Sequence, residues 1–224
     1  MLITQPDHAH LARRMMEHCV PLVGHARRHT ILHAVGEHDC GWEEEDAAPM
    51  VNPETGAVFD FISAPVAVRQ AVWPRAVARL ANEPWSAALV AQHALTVYER
   101  FRPEPAWSRF FAELSATRDA LVRATGLPLD QLLADYVFVR LGDLLSLAFC
   151  TRATGELSVG DWTVELSASR VVVSPDAFGA ATVPFEIVAR EIPRLLFRSD
   201  TELHEALRAA KTTVLRGEAA GRRS

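Results

Sequence analysis

The chain has 224 residues, of which 49% are hydrophobic and 23% are charged, and its formal net charge is −5. That length can bury a sizeable core in one large domain, and the slight acidity disfavours a general attraction to nucleic acid or to anionic membranes. The three cysteines have no Cys-x-x-Cys spacing, so neither a disulfide framework nor a zinc ribbon is indicated.

No run of about 20 apolar residues occurs, as a membrane-spanning helix would need. The first residues also lack the basic region and the long apolar core of a secretory signal. We therefore expect a cytoplasmic protein that binds neither nucleic acid nor membrane, and homo-oligomer formation stays open.

The first helix is signalled by Thr4 as a cap and by Pro6 in the first turn. His8 falls on its apolar stripe, which continues through Leu11, Met15 and Cys19. His10 lies about 200° around the helix and should point to solvent. His8 is therefore predicted to face the interior.

A second helix is predicted over residues 26–39, with His38 on its apolar side and Gly41 ending it. His38 and Asp39 then occupy its last turn. Residues 42–63 are acidic and rich in turn-forming residues, so we expect a long ordered loop. Loops of this length often line a pocket.

Further helices are predicted over residues 65–81, 85–101, 105–124 and 128–150. His93 lies on the apolar face of the second of these, and Asp143 lies within the apolar stripe of the last. A buried carboxylate must find a partner, and a metal ion would provide one.

After Cys150 the pattern becomes β-branched, and short antiparallel strands are predicted near 162–166, 170–173 and 183–188. A final helix is expected around 200–215. The fold class predicted from these patterns is mainly α. Its expected parts are a helical core over 1–152, strands and a C-terminal helix over 153–216, and a frayed tail over 217–224.

Imidazole and carboxylate ligands together suit a divalent transition metal such as Fe, Mn, Zn or Ni. We predict one or two ions bound by side chains from four helices: His8, His38, Asp39, His93 and Asp143. Open positions on such an ion would activate water for hydrolysis, and two ions bridged by Asp39 could clamp a phosphoryl group.

The order His8, His38-Asp39, Asp143 resembles the pattern of the HD-domain metal-dependent phosphohydrolases. This resemblance implies an HD-like helical bundle with a small β appendage and a metal site at these four residues. His93 is similar to the extra histidine that binds a second ion in two-metal members. Those members have more histidines in this region than this chain offers.

The chain also resembles, over nearly its whole length, a bacterial family known only as a domain of unknown function. The resemblance rests on five segments: Ile3-Thr4-Gln5-Pro6-Asp7-His8-Ala9, Glu37-His38-Asp39-Cys40-Gly41-Trp42, Pro53-Glu54-Thr55-Gly56, Asp60-Phe61 and Gly142-Asp143-Leu144-Leu145-Ser146-Leu147. It implies no particular substrate.

Catalytic roles are predicted for Glu37, His38 and Asp39, and contacts to substrate for Trp42 and Arg140. Competing interpretations remain for some residues. His93 could be a core histidine that donates to a carbonyl. The helical series His25, His29, His33 is typical of a solvated face but could bind metal, and the acidic run 43–46 could supply a general acid or an outer metal ligand.

The leading functional hypothesis is a metal-dependent phosphohydrolase acting on a small phosphorylated molecule or nucleotide. An HD-like di-iron oxygenase is the first alternative. The second is a non-catalytic metal-sensing or ligand-sensing protein, because a fold alone does not establish chemistry.

Overall fold

A computed structural model describes residues 1–167, 169–192 and 196–222. The helices are α1 (Gln5–Met16), α2 (Arg28–Glu37), α3 (Glu43–Ala47), α4 (Val66–Arg79), α5 (Pro84–Val97), α6 (Ser108–Thr125), α7 (Leu129–Cys150) and α8 (Asp200–Ala209). The strands are β1 (Gly155–Val159), β2 (Trp162–Ser167), β3 (Arg170–Ser174), β4 (Thr182–Glu191) and β5 (Lys211–Gly221).

The helical part is built around α7, which packs against α1, α2 and α5. The start of α1 confirms the prediction, because the Thr4 side chain accepts a hydrogen bond from the Asp7 backbone N–H. The predicted helices up to residue 150 end within a few residues of the observed ones, except that α5 stops at Val97 and a short 3₁₀ turn follows.

The five strands form one mixed sheet in the order β1-β2-β3-β5-β4. Its neighbouring strands are antiparallel except β3 and β5, which are parallel. Residues alternate between buried and exposed along β4, so one face of this strand is buried. Side chains of the sheet such as Val164 and Val173 share one continuous apolar core with the helices.

The prediction of a mainly α, HD-like bundle with a small antiparallel appendage is wrong. The chain is about 54% helical with a five-stranded mixed sheet of 19%, which is a substantial α/β fold. The main error lies at the C-terminus, where the predicted helix to 215 and the frayed tail from 217 give way to β5.

The physical reason lies in the pairing of β5. This strand is largely polar in sequence and has no apolar alternation of its own, yet its backbone pairs with β4 on one side and β3 on the other. Such long-range pairing leaves almost no local signal. The small residues Ala219 and Ala220 are buried there, so residues 217–221 of the segment expected to fray are part of the sheet, while residues 223 and 224 lie outside the described residues.

The predicted loop 42–63 contains the short helix α3 and is pinned by isolated β-bridges between Val51 and Val58 and between Ala57 and Leu196. Across the described residues, every helix is too short or too polar to cross a bilayer.

Candidate metal centre

Four buried side chains from three helical elements meet at one point. His8 lies on α1, His38 and Asp39 follow directly after α2, and Asp143 lies on α7. His8 Nε2 lies 2.9 Å from Asp39 Oδ2 and 3.8 Å from Asp143 Oδ1. His38 Nε2 lies 3.2 Å from His8 Nε2, 3.5 Å from Asp39 Oδ2 and 3.6 Å from Asp143 Oδ1.

These separations match the edges of one metal coordination shell. An ion about 2.1 Å from each ligand separates neighbouring ligand atoms by roughly 3.0 Å in octahedral geometry and roughly 3.4 Å in tetrahedral geometry. The five measured separations run from 2.9 to 3.8 Å. His8, His38 and Asp39 therefore fit a single divalent ion with positions left open, and Asp143 Oδ1 lies within 3.8 Å of both imidazole nitrogens.

His93 on α5 lies at the border of this group. Its Nε2 is 3.9 Å from Asp143 Oδ2, and its ring packs edge-on against His38. Two ligand triads can be drawn, one of His8, His38 and Asp39 and one of His38, His93 and Asp143. Both need His38, and its single Nε2 can bind one ion. His93 thus fits a fifth ligand better than the basis of a second complete site.

The histidines are oriented by hydrogen bonds on their other ring nitrogens. His38 Nδ1 donates to the carbonyl of Val35 at 2.7 Å. His8 Nδ1 lies 2.8 Å from Ser146 Oγ, whose own proton points to the main-chain carbonyls of Gly142 and Asp143. Each Nε2 lone pair is therefore directed into the cluster, which is the arrangement that supports metal ligation.

His93 follows the same pattern through Tyr136. Its Nδ1 lies 3.2 Å from the Tyr136 hydroxyl. Burial lowers the pKa of His93 to about 3, so the ring is neutral and its Nε2 can donate an electron pair to a metal.

The histidines and carboxylates of the cluster shift one another's pKa values. Burial alone would lower the pKa of His38, but the carboxylates of Asp39 and Asp143 raise it to about 9. Burial opposes ionisation of those two carboxyls, yet the facing histidines hold the pKa of each below its ordinary value. Two carboxylates thus share a buried site that requires a positive charge between them.

Two glycines allow the helices to bring these residues together. A Cβ on Gly142 would lie 2.9 Å from Met16 Cγ and 3.0 Å from Val35 Cγ1, so glycine lets α7 approach α1 and α2 beside Asp143. A Cβ on Gly41 would collide with the carbonyl oxygen of Val72. Glycine there lets the chain turn tightly after Asp39 against α4.

Arg140, predicted to contact substrate, forms an ion pair with Asp143 of the cluster. Its Nη1 donates to Asp143 Oδ2 at 2.6 Å, which leaves Asp143 Oδ1 facing His8 and His38. The sequence interpretation missed this link and the roles of Ser146 and Tyr136. The signal was available, because Tyr136, Arg140, Asp143 and Ser146 recur at helical spacing of three or four along one helix.

The other predicted site residues lie apart from the ligands. The Glu37 carboxylate is 3.9 Å from His10 Nε2 on the exposed side of α1, so the structure does not bring it to the cluster. Trp42 is buried, and it lines a cavity beside the centre without taking part in the ligand group.

The competing constellations have other partners. His25 lies 3.6 Å from Asp135 and His33 lies 3.2 Å from Glu83, and the series of three histidines forms no ligand group within the described residues. In the acidic run, Glu43, Glu44 and Glu45 form ion pairs with Arg75 and Arg79.

Two neighbouring cavities lie on the His8 side of the centre, and only the smaller has a residue of the cluster in its wall. The smaller, of about 380 Å³, has His8 in its wall, and the larger, of about 740 Å³, has Trp42 in its wall. Both are bordered by the segments 2–5 and 58–61. A small molecule can therefore approach the cluster from the side of His8.

A sequence profile described as a protein of unknown function (DUF3891) matches residues 1–194. The chain therefore belongs to this family. No curated protein and no solved structure matches it.

Proposed function

We propose that the protein is a metal-dependent phosphohydrolase in which His8, His38, Asp39 and Asp143 bind one divalent transition-metal ion. The observation that carries this proposal is the set of ligand-atom separations, 2.9 to 3.8 Å, that join two buried imidazoles to each other and to two buried carboxylates. His93, whose Nε2 lies 3.9 Å from Asp143 Oδ2, would be a fifth ligand.

The chemistry of the donors favours Fe, Mn, Zn or Ni. A bound ion would lower the pKa of a coordinated water toward neutrality and polarise an ester oxygen. The residues of this chain supply the rest: Ser146 and the Val35 carbonyl fix the imidazole planes, and Arg140 fixes the carboxylate of Asp143. The smaller cavity brings substrate to His8.

A phosphate ester is proposed as the substrate because the ligands follow one another in the order found in the HD-domain phosphohydrolases. The support is the residue pattern His8, His38-Asp39, Asp143 and not the overall architecture, since a five-stranded mixed sheet accompanies the helices here. A mononuclear centre is favoured over a di-iron one, because both ligand triads depend on His38.

The proposal is tested by phosphate release from a panel of phosphomonoesters and nucleotides, with Mn²⁺, Fe²⁺, Zn²⁺ or Ni²⁺ added to chelator-treated protein. We expect turnover that needs metal and that His38→Ala reduces by about a hundredfold or more. The matched control is His10→Ala, which removes an exposed imidazole two residues from His8 and should leave turnover unchanged.

Different outcomes point to different functions. Metal-dependent oxygen uptake without phosphate release would replace the hydrolase with an oxygenase. Tight metal binding with no turnover of any tested ester would contradict the hydrolase and favour a sensor. Equal loss of activity in His38→Ala and His10→Ala would show that the cluster is not the reacting centre.

A further inference from the structure

The larger cavity is lined by both aromatic and acidic residues. Its volume of about 740 Å³ lies in the range of small-molecule sites. Aromatic rings line it from two segments of the chain, Trp42 from one and Phe59 and Phe61 from the other. Four carboxylates also line it: Asp7, Glu45, Asp46 and Asp60.

Asp46 is the lining carboxylate that is partly buried and has no ion pair within the described residues, whereas Asp7 is exposed and accepts a hydrogen bond from Thr4 Oγ1. Glu45 is paired with Arg75, and Asp60 accepts hydrogen bonds from Ser63. Asp46 accepts one hydrogen bond, from the Gln5 backbone N–H at 2.6 Å. Over residues 1–167, 169–192 and 196–222, no arginine, lysine or histidine forms an ion pair with it.

The surroundings of Asp46 add to this imbalance. Burial, together with the charges of Asp39, Asp7 and Glu45, raises the pKa of Asp46 to about 6 against the lowering effect of the Gln5 backbone hydrogen bond. A positive group placed in the cavity would relieve both effects, since it would pair with the carboxylate and replace lost solvation.

The aromatic rings favour the same kind of ligand. The face of a Trp or Phe ring attracts a cation within about 6 Å of its centroid, and it attracts alkylammonium groups in particular. Carboxylates near such rings add charge attraction to this contact. The two observations come from different residues and indicate one ligand chemistry.

The larger cavity also adjoins the smaller one, which reaches His8 of the candidate centre. Its borders at 2–5 and 58–61 are shared with the smaller cavity, whose wall includes His8. A molecule that fills both would place one end among the aromatic rings and the other end beside the ligand cluster.

We propose that the larger cavity binds a small organic cation, an alkylammonium group, and that this group is the non-reacting end of the substrate. The first part stands on the cavity alone. The second part rests on the proposed function, because it assigns the reacting end to the metal centre.

Basic residues also line the cavity, on the wall formed by β4 and α8. Arg190 and Arg208 lie there, and so does His204, which donates to the Pro49 carbonyl at 2.8 Å. A ligand recognised by this wall would be anionic. The test therefore has to separate a cation held by Asp46 from an anion held by the arginines.

The experiment is calorimetric titration of the metal-free protein with choline and with 3,3-dimethylbutan-1-ol, a neutral molecule of the same shape, and with acetate as the anion. We expect choline to bind, and we expect the affinity for the neutral alcohol to be lower by about tenfold or more. Asp46→Asn keeps an acceptor for the Gln5 N–H, and it should weaken choline binding about tenfold. The matched control Glu54→Gln lies on the exposed loop and should leave binding unchanged.

Absence of choline binding, equal affinity for the neutral alcohol, or acetate binding that Asp46→Asn strengthens would each overturn the proposal. The two proposals fail separately. Choline binding to a protein without phosphatase activity would remove the hydrolase and keep the cation site. Turnover of phosphate esters by a protein that does not bind choline would keep the hydrolase and remove the cation site.

Discussion

His38 is fully buried between the carboxylates of Asp39 and Asp143. These carboxylates favour a positive charge on the imidazole, which can be a bound proton or a bound metal ion. In the metal-free protein that charge is a proton. When a metal ion binds, the proton must leave, because the ligand is the neutral ring. The two states therefore respond to pH in opposite directions.

The pH dependence of the metal-free protein follows from the raised pKa of His38, about 9 against 6.5 in the unfolded chain. A raised folded pKa gives stability that is complete below about pH 6.5 and is lost as pH rises through about 9. We expect chelator-treated protein to lose on the order of 1–3 kcal/mol of unfolding free energy between pH 6.5 and 9.5. Urea denaturation at the two pH values measures this.

The variant His38→Gln serves as the control, because it cannot titrate and should flatten this part of the profile. A wild-type protein whose stability rises over the same interval, in the presence of chelator, would contradict the assignment of the buried proton to His38.

Ser146 tests the role of the residues that orient the ligands. Its Oγ holds His8 Nδ1 at 2.8 Å, and loss of such a partner lowers metal affinity by about 10- to 100-fold. We expect Ser146→Ala to weaken metal binding by that amount in a competition titration, while Ser108→Ala, at an exposed position, has no effect. Unchanged affinity in Ser146→Ala would mean that His8 is oriented by other contacts.

The sequence predicts that the site residues converge, but it does not predict the hydrogen bonds that surround them. Helical periodicity indicates that His8, His93 and Asp143 face inward, because each falls in an apolar stripe. It does not show that Arg140 bonds Asp143 and is therefore already engaged, since that depends on side-chain conformation. Contact of Arg140 with substrate stays a prediction.

At the scale of elements, the site depends on how closely α7 approaches α1 and α2. Gly142 permits this approach, since a Cβ there meets Met16 and Val35 in the core. Overpacking of this kind costs about 1–3 kcal/mol. We expect Gly142→Ala to lower the free energy of unfolding by that amount and to weaken metal binding, because Asp143 is the next residue.

Gly36 on α2 provides the matched control. A Cβ there meets the side chain of Arg13, chiefly its flexible Cδ, and alanine favours a helix by about 1 kcal/mol relative to glycine. Gly36→Ala should therefore be tolerated or stabilising in thermal denaturation. Equal destabilisation by both substitutions would argue against a specific role for Gly142.

The helices were predictable from sequence because their apolar stripes and caps are local. Thr4, Pro6 and the stripe of α1 suffice to place that helix. The strand β5 was not, because its place between β3 and β4 is decided by pairing with residues 20 to 48 positions away. Because of that pairing, the strands form a sheet that shares the core of the helices, where the sequence predicts a small appendage.

In the molecule as a whole, the proposed metal centre lies where elements far apart in sequence meet. Its proposed ligands come from α1, the end of α2 and α7, with His93 from α5, and two cavities nearby are bordered by the N-terminal segment and the loop 58–61. A bound ion would therefore join four helices. Metal binding is expected to stabilise the entire fold, because the site does not exist in the unfolded chain.

The most direct test of this account is elemental analysis of the protein purified without added metal, and again after exposure to Fe²⁺, Mn²⁺, Zn²⁺ or Ni²⁺ and removal of excess ion. We predict about one equivalent of a transition metal per chain in the wild type and in His10→Ala, and its loss in Asp39→Ala. A wild-type protein that retains none of these ions, or an Asp39→Ala variant that retains the same amount, would contradict the account.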